Sequence, residues 1–210
     1  MTETPFPVEE ISPLKRALIE LRSLREELHA AKAERSAPIA IVGAGVRFPG
    51  DVDSLDTFWQ LLLVGRDAIA EIPESRWHKS DWFDERPNRP GKMTTRFGGF
   101  LANVDQFAAR FFAISPREAA QMDPQQRLLL MTAWEALEDA SIAPDSLAGS
   151  ATGVFVGMAN SDYSAMLKQH AQEIDLYFAT GGAFSVAAGR IAYLLGLNGP
   201  ALAIDTACSS

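Results

Sequence analysis

Three short apolar runs leave few architectures open to this chain. They lie within PIAIVGAGVRFPG (38–50), GVFVGMA (153–159) and PALAIDTA (200–207). A continuous apolar run of this length, bounded by glycine or proline, fits a strand covered on both faces, as in parallel sheets. Helical patterns stand between the runs. SLDTFWQLLLVG offers Ser54 as a cap, Leu55, Phe58, Trp59 and Leu62 on one face, and Gly65 as a stop. MDPQQRLLLMTAWEALEDA offers Asp123 as a cap, Pro124 in the first turn, and a stripe of Leu130, Ala133, Trp134 and Leu137. AFSVAAGRIAYLLG reads as a helix in which Ala187, Ala188 and Gly189 permit close backbone approach. Strands alternating with helices predict an α/β layered fold with buried sheets. Residues 66–103, rich in proline, glycine and charge, read as loop.

The N-terminal part differs in kind. Residues 1–13 carry three prolines and no basic residue, so they are expected to be extended or a short docking helix, and they are no signal peptide. From Pro13 the chain runs to Arg35 without glycine. Leu14, Ala17, Leu21, Leu24, Leu28 and Ala31 alternate in threes and fours, an a/d seam. Glu20 with Arg25, and Glu27 with Lys32, are opposite charges at g and e positions, which favours a parallel homodimer. An amphipathic helix packed on its own domain is the alternative, since fewer than three heptads are marginal alone. The SAP tripeptide (36–38) marks a boundary, giving a docking or coiled-coil segment over 1–37 and a globular body over 38–210.

Charge and cysteine use narrow the function. A net charge of −8 without a basic cluster argues against nucleic acid or an anionic membrane as partner. The longest apolar runs are too short to span a bilayer. Gly43-Ala44-Gly45 after the first run invites a dinucleotide reading, but Phe48 stands where the fingerprint needs a third glycine. A tight strand-exit turn is expected there instead. Cys208 is the single cysteine, so no intramolecular disulfide can form, and a reducing cytoplasmic setting fits. Most free cysteines are inert core. This one ends an apolar strand and precedes Ser209 and Ser210. A strand turning into a helix there would push the side chain out at a sharp corner. The helix N-terminus would favour thiolate and offer N–H groups to an oxyanion.

AIDTACSS resembles the nucleophile motif of β-ketoacyl synthases, in particular the ketosynthase domains of modular type I polyketide synthases. Further blocks match in order: PIAIVGAGVRFPG, DTFWQLL, IPESRW, GGFL, FFAISPREAAQMDPQQRLLLMTAWEALEDA, GVFVG and AAGRIAYLLGLNGPALAIDTACSS. The likeness covers 38–210, and residues 1–37 resemble the coiled-coil docking segment of such polypeptides. It implies the N-terminal half of a thiolase-like layered fold and a homodimer. It also implies docking to an upstream synthase polypeptide and its acyl carrier protein through 1–37. Cys208 would accept the growing acyl chain as a thioester, with its own N–H as an oxyanion donor. A malonyl-type extender on a carrier would then lose CO₂ and condense onto it. Phosphopantetheine would belong to the carrier, and the segment itself is expected to hold no cofactor or metal. A cysteine, where loading decarboxylases of the family carry glutamine, implies an extending enzyme.

The family's catalytic histidines and lysine lie beyond the cysteine, so the chain alone is expected to be inactive in condensation. His29, His78 and His170 sit in no catalytic motif of the family. For MDPQQR, two readings stand: a role at the pocket and dimer region, or a capped helix start with Arg127 ion-paired. Other readings of the whole chain are a fatty-acid-synthase-type ketosynthase and a non-catalytic docking protein in which only 1–37 works.

Overall fold

The computed structural model describes residues 12–35, 37–169, 172 and 174–210, with the side chains of 31 and 33–35 left aside. His170 lies outside the described residues, as do residues 1–11. The chain divides into two units, Met1–Ile41 and Val42–Ser210.

In the first unit, α1 (Pro13–Arg35) is one helix of 23 residues. Ser12 Oγ accepts from Lys15 N at 3.3 Å, capping its start. Leu14, Leu21, Leu24 and Leu28 of the seam are each more than half exposed. The strand expected over 39–42 does not form; Ile39 and Ile41 are 95% and 91% exposed. A both-faces-covered strand needs a paired neighbour and a layer on each side, and the described residues pair no strand with this segment.

The second unit is built around a parallel pair. Helix α2 (Leu55–Leu63) starts at Ser54, whose Oγ accepts from Thr57 N while the Thr57 hydroxyl accepts from Ser54 N. Gly65 follows at φ +60, a left-handed stop. No residue of α2 is buried, and Leu55, Trp59 and Leu62 of its apolar face are exposed; Phe58 meets Phe48, ring centroids 4.8 Å apart. The loop-rich stretch contains two-residue strands β1 (Ala70–Glu71) and β2 (Phe97–Gly98), paired antiparallel, and the single turn α3 (Lys79–Trp82). Asp84 ties this loop. Hydrogen bonds from Arg86 hold its carboxyl well below the usual carboxylate range.

Helices α4 (Pro116–Gln121) and α5 (Pro124–Asp139) follow, then a 3₁₀ turn (Pro144–Leu147) and β3 (Val154–Gly157). The crossover α6 (Asp162–Lys168), α7 (Phe178–Gly182) and α8 (Phe184–Leu194) leads to β4 (Ala201–Ile204). β3 and β4 pair in parallel, Val154 with Ala201 through Gly157 with Ile204. The core joins α5, β3 and α8: Leu130 (1% exposed), Val156, Met158, Ala187, Ala188 and Ile191. Neither strand is covered on both faces. Phe155 is 63% and Leu202 49% exposed, so only one face of this pair carries helices.

Gly43 and Gly45 have a different task from the one expected. A Cβ on either would strike the backbone of α5, at Ala136 O and Thr132 O. Their missing side chains let the segment lie on that helix, where Ala44 N also donates to Asp139 Oδ2 at 3.0 Å. The close approach expected at Gly189 is absent, since a Cβ there would meet nothing within 4 Å. No described helix is long and apolar enough to cross a membrane.

Candidate active site

The ends of β3 and β4 lie level, and the ladder runs one step further as Met158 N donates to Ile204 O at 3.1 Å. Beyond β4 the chain turns sharply. Asp205 Oδ1 accepts from Ala207 N at 2.9 Å, an Asx turn. Ala207 stands at φ +54, in the left-handed region that residues with a Cβ rarely adopt. A 3₁₀ turn, Ala207–Ser209, follows, closed by Ser209 N to Thr206 O at 3.3 Å and Ser210 N to Ala207 O at 3.0 Å. Thr206 N donates to Ser210 Oγ at 2.6 Å.

Cys208 sits in the middle of this turn and is exposed. Among the described residues its side chain has no partner and its backbone N–H has no acceptor. The corner therefore presents a thiol and an unspent backbone donor on the same residue. Gly157, the last residue of β3, makes room for it. A Cβ there would strike the carbonyl carbon of Ser210 and lie 3.1 Å from its Cα. A glycine in one strand thus seats the turn that follows the other.

The start of α5 is tied to the same end of the sheet. Asp123 Oδ1 accepts from Gln125 N at 2.8 Å, the expected cap. Gln125 Nε2 donates to Asn160 O, just past β3, at 2.9 Å. Gln126 is 1% exposed, and its Nε2 donates to the carbonyls of Thr180, Gly181 and Ala183 where α7 passes into α8. Its Oε1 accepts from Arg190 Nε at 3.3 Å, and Arg190 Nη1 is 2.5 Å from Glu118. Sequence reasoning missed Gln126, Glu118 and Arg190. One signal was available: Gln126 lies four residues before Leu130, on the apolar stripe, where an amide needs buried partners. Arg127 is not ion-paired among the described residues. Its Nη1 donates to Asp105 O at 3.4 Å and its guanidinium lies 5.7 Å from the Tyr163 ring centroid. A carbonyl and a π face stand in place of the expected carboxylate, and its buried Nε has no partner among the described residues.

His29 is an exposed position on α1. His78 is exposed and its Nδ1 lies 3.4 Å from Glu74. Among the described residues His78 is no partner of Cys208.

Residues 36–210 match the family described as beta-ketoacyl synthase, N-terminal domain. The chain is 54% identical over 173 residues to one of the phenolphthiocerol/phthiocerol polyketide synthase polypeptides of Mycobacterium tuberculosis (strain CDC 1551 / Oshkosh), covering 82% of this chain. It is 48% identical over 210 residues, its whole length, to a second phenolphthiocerol/phthiocerol polyketide synthase polypeptide of the same strain. The chain spans 11% of the length of each of these two relatives. Among solved structures, the oxazolomycin ketosynthase domain of Streptomyces albus JA3453 superposes with a TM-score of 0.73 at 36% identity, over 81% of this chain and 29% of that one.

Proposed function

The chain belongs to the beta-ketoacyl synthase family, through that family's N-terminal domain, and we propose accordingly that it supplies the nucleophile of a chain-extending ketosynthase in a modular polyketide synthase. The observation that carries this reading is the exposed Cys208, held at a strand-to-turn corner beside its own unpaired N–H. The names of the two mycobacterial relatives, both of a polyketide synthase, support the substrate class.

The chemistry follows from the corner. The Cys208 thiolate attacks the carbonyl carbon of an acyl thioester borne on the phosphopantetheine of an acyl carrier protein. A C–S bond forms to Sγ, and the carbonyl electrons move onto oxygen. The Cys208 N–H is placed to donate to that oxyanion, in the manner of other acyl-transfer sites. Collapse breaks the carrier's C–S bond, and the departing thiolate takes up the proton that Cys208 gave. In the second half-reaction a malonyl-type extender loses CO₂, and its carbanion attacks the acyl-cysteine. The new C–C bond displaces Sγ as thiolate and regenerates the site. To test the first half, the protein is incubated with an acyl carrier protein charged with an acyl thioester, then digested and analysed by mass spectrometry. One acyl adduct on the peptide holding Cys208 is expected; an adduct elsewhere, or none, refutes the reading.

The partners in this proposal are an upstream synthase polypeptide with its carrier protein, met through residues 1–37, and a second copy of this chain. The exposed leucine seam of α1 supports a parallel helix pair. A peptide over 13–35 is expected to self-associate in sedimentation experiments. Leu21→Asp with Leu28→Asp should make it monomeric, since each places a charge in the seam. The g–e ion pairs add only about 0.2–1 kcal/mol each, so the leucines decide the outcome. A monomeric unsubstituted peptide at high concentration would leave the seam to a different partner.

A further inference from the structure

We propose that Asp205 is a positioning residue for Cys208, and that it acts by holding Ala207 in the left-handed conformation that leaves the Cys208 N–H unspent. The inference rests on the reading of Cys208 as nucleophile and adds to it the group that shapes the corner.

Three observations converge. Ala207, directly before the thiol, has φ +54 with a Cβ that disfavours it. A conformation of that kind persists only where its surroundings impose it. Within the turn, the N–H of Ala207 is held by a side chain: Asp205 Oδ1, at 2.9 Å. The next N–H, that of Cys208, has no acceptor among the described residues, whereas those of Ser209 and Ser210 are spent on Thr206 O and Ala207 O. The carboxylate thus fixes which amide of the turn is consumed and which stays free. Without it, Ala207 is expected to relax to negative φ. That rotation swings the Ala207–Cys208 peptide plane, and with it the donor and the direction of Sγ. Ser210 Oγ, accepting from Thr206 N, and the close seat on Gly157 hold the far side of the turn and leave the near side to Asp205.

The role belongs to the acceptor oxygen rather than to the charge, which the conservative amide separates. The probe is a hexanoyl-pantetheine thioester, with the rate of acyl transfer to Cys208 read by mass spectrometry. Asp205→Ala should slow acylation about tenfold, the loss expected for one hydrogen bond. Asp205→Asn keeps an oxygen in place and should stay within about twofold of the unsubstituted rate. Ala207→Gly added to Asp205→Ala should recover most of the loss, because glycine takes positive φ without help. Hydrogen exchange at the Ala207 amide should quicken in Asp205→Ala and not in Asp205→Asn.

Acylation of Cys208 that is indifferent to Asp205→Ala overturns this inference alone. So does an asparagine variant as slow as the alanine one, or a double variant that recovers nothing. No acylation of Cys208 in the unsubstituted protein overturns the nucleophile reading itself, and the positioning role falls with it.

Discussion

Cys208→Ala is expected to abolish acyl transfer to this protein while leaving its stability where it was. The chain has one thiol, so no neighbouring cysteine can take over. Removing a covalent nucleophile typically costs at least about 10³-fold in rate, and frequently far more. The stability side follows from exposure. The Cys208 side chain has no partner among the described residues and is not buried, and such substitutions usually change stability by less than about 0.5 kcal/mol. Ala also occupies position 207 of the same turn, so the backbone there accepts a methyl side chain. The paired measurements are adduct stoichiometry by intact mass and a thermal melt. Full acylation of the alanine variant would show that another group is the acceptor. A melt lowered by many degrees would show that the thiol has a structural role.

Gly181→Ala is expected to have the largest effect on folding. Gly181 lies in α7 and is buried, and its carbonyl accepts from both Asp123 N (3.0 Å) and Gln126 Nε2 (2.8 Å). A Cβ there would collide with Gln121 O, lie 2.6 Å from Gln121 C, and lie 3.1 Å from Met122 Cα. All three are backbone atoms, and Met122 is fully buried, so no side chain can swing aside. Overpacking costs about 1–3 kcal/mol. Parting α7 from α5 would also strand buried donors, at about 1–3 kcal/mol. Together these give about 4 kcal/mol, or roughly 8–16 °C in melting temperature for a chain of this size. Gly189→Ala provides the contrast. It too is helical, but its Cβ would meet nothing within 4 Å. That change should raise stability by about 0.4–1 kcal/mol by restricting the unfolded chain. Equal melts for the two variants would contradict the close approach of α7 to the start of α5.

Local signals are legible wherever chain neighbours decide the outcome. The Ser54 and Asp123 caps, the Gly65 stop, Pro124 in the first turn and the helical run from Pro13 all need only adjacent residues, and each stands as read. Two of the apolar runs form the expected strands, at 154–157 and 201–204. Their burial differs from expectation, because a run of valines and alanines shows that a strand can be covered and not that a layer lies over it. The run at 39–42 departs for the same reason in a stronger form, since no pairing partner is present among the described residues. At the site, Cys208 is legible from its place after a strand. Asp205 is not, because its role depends on the dihedral of Ala207, which no pattern of hydropathy encodes. The Gln126 hub is equally hidden, as its three carbonyl acceptors lie more than fifty residues away in sequence.

The parallel register of β3 and β4 has a kinetic consequence. Strands that run the same way cannot meet through a tight hairpin; residue 154 finds residue 201 only after the whole intervening crossover has compacted. Closing a loop of that length is paid for in chain entropy before any ladder bond forms, and such long-range pairing belongs to the slow part of folding. The corner that carries the thiol hangs from the end of β4 and is seated on the end of β3, through Gly157. It therefore takes shape with the last contacts of this unit rather than the first. Partly folded forms of the protein carry the cysteine without its corner: a thiol with no backbone donor fixed beside it, on a body that could not yet use an acyl group.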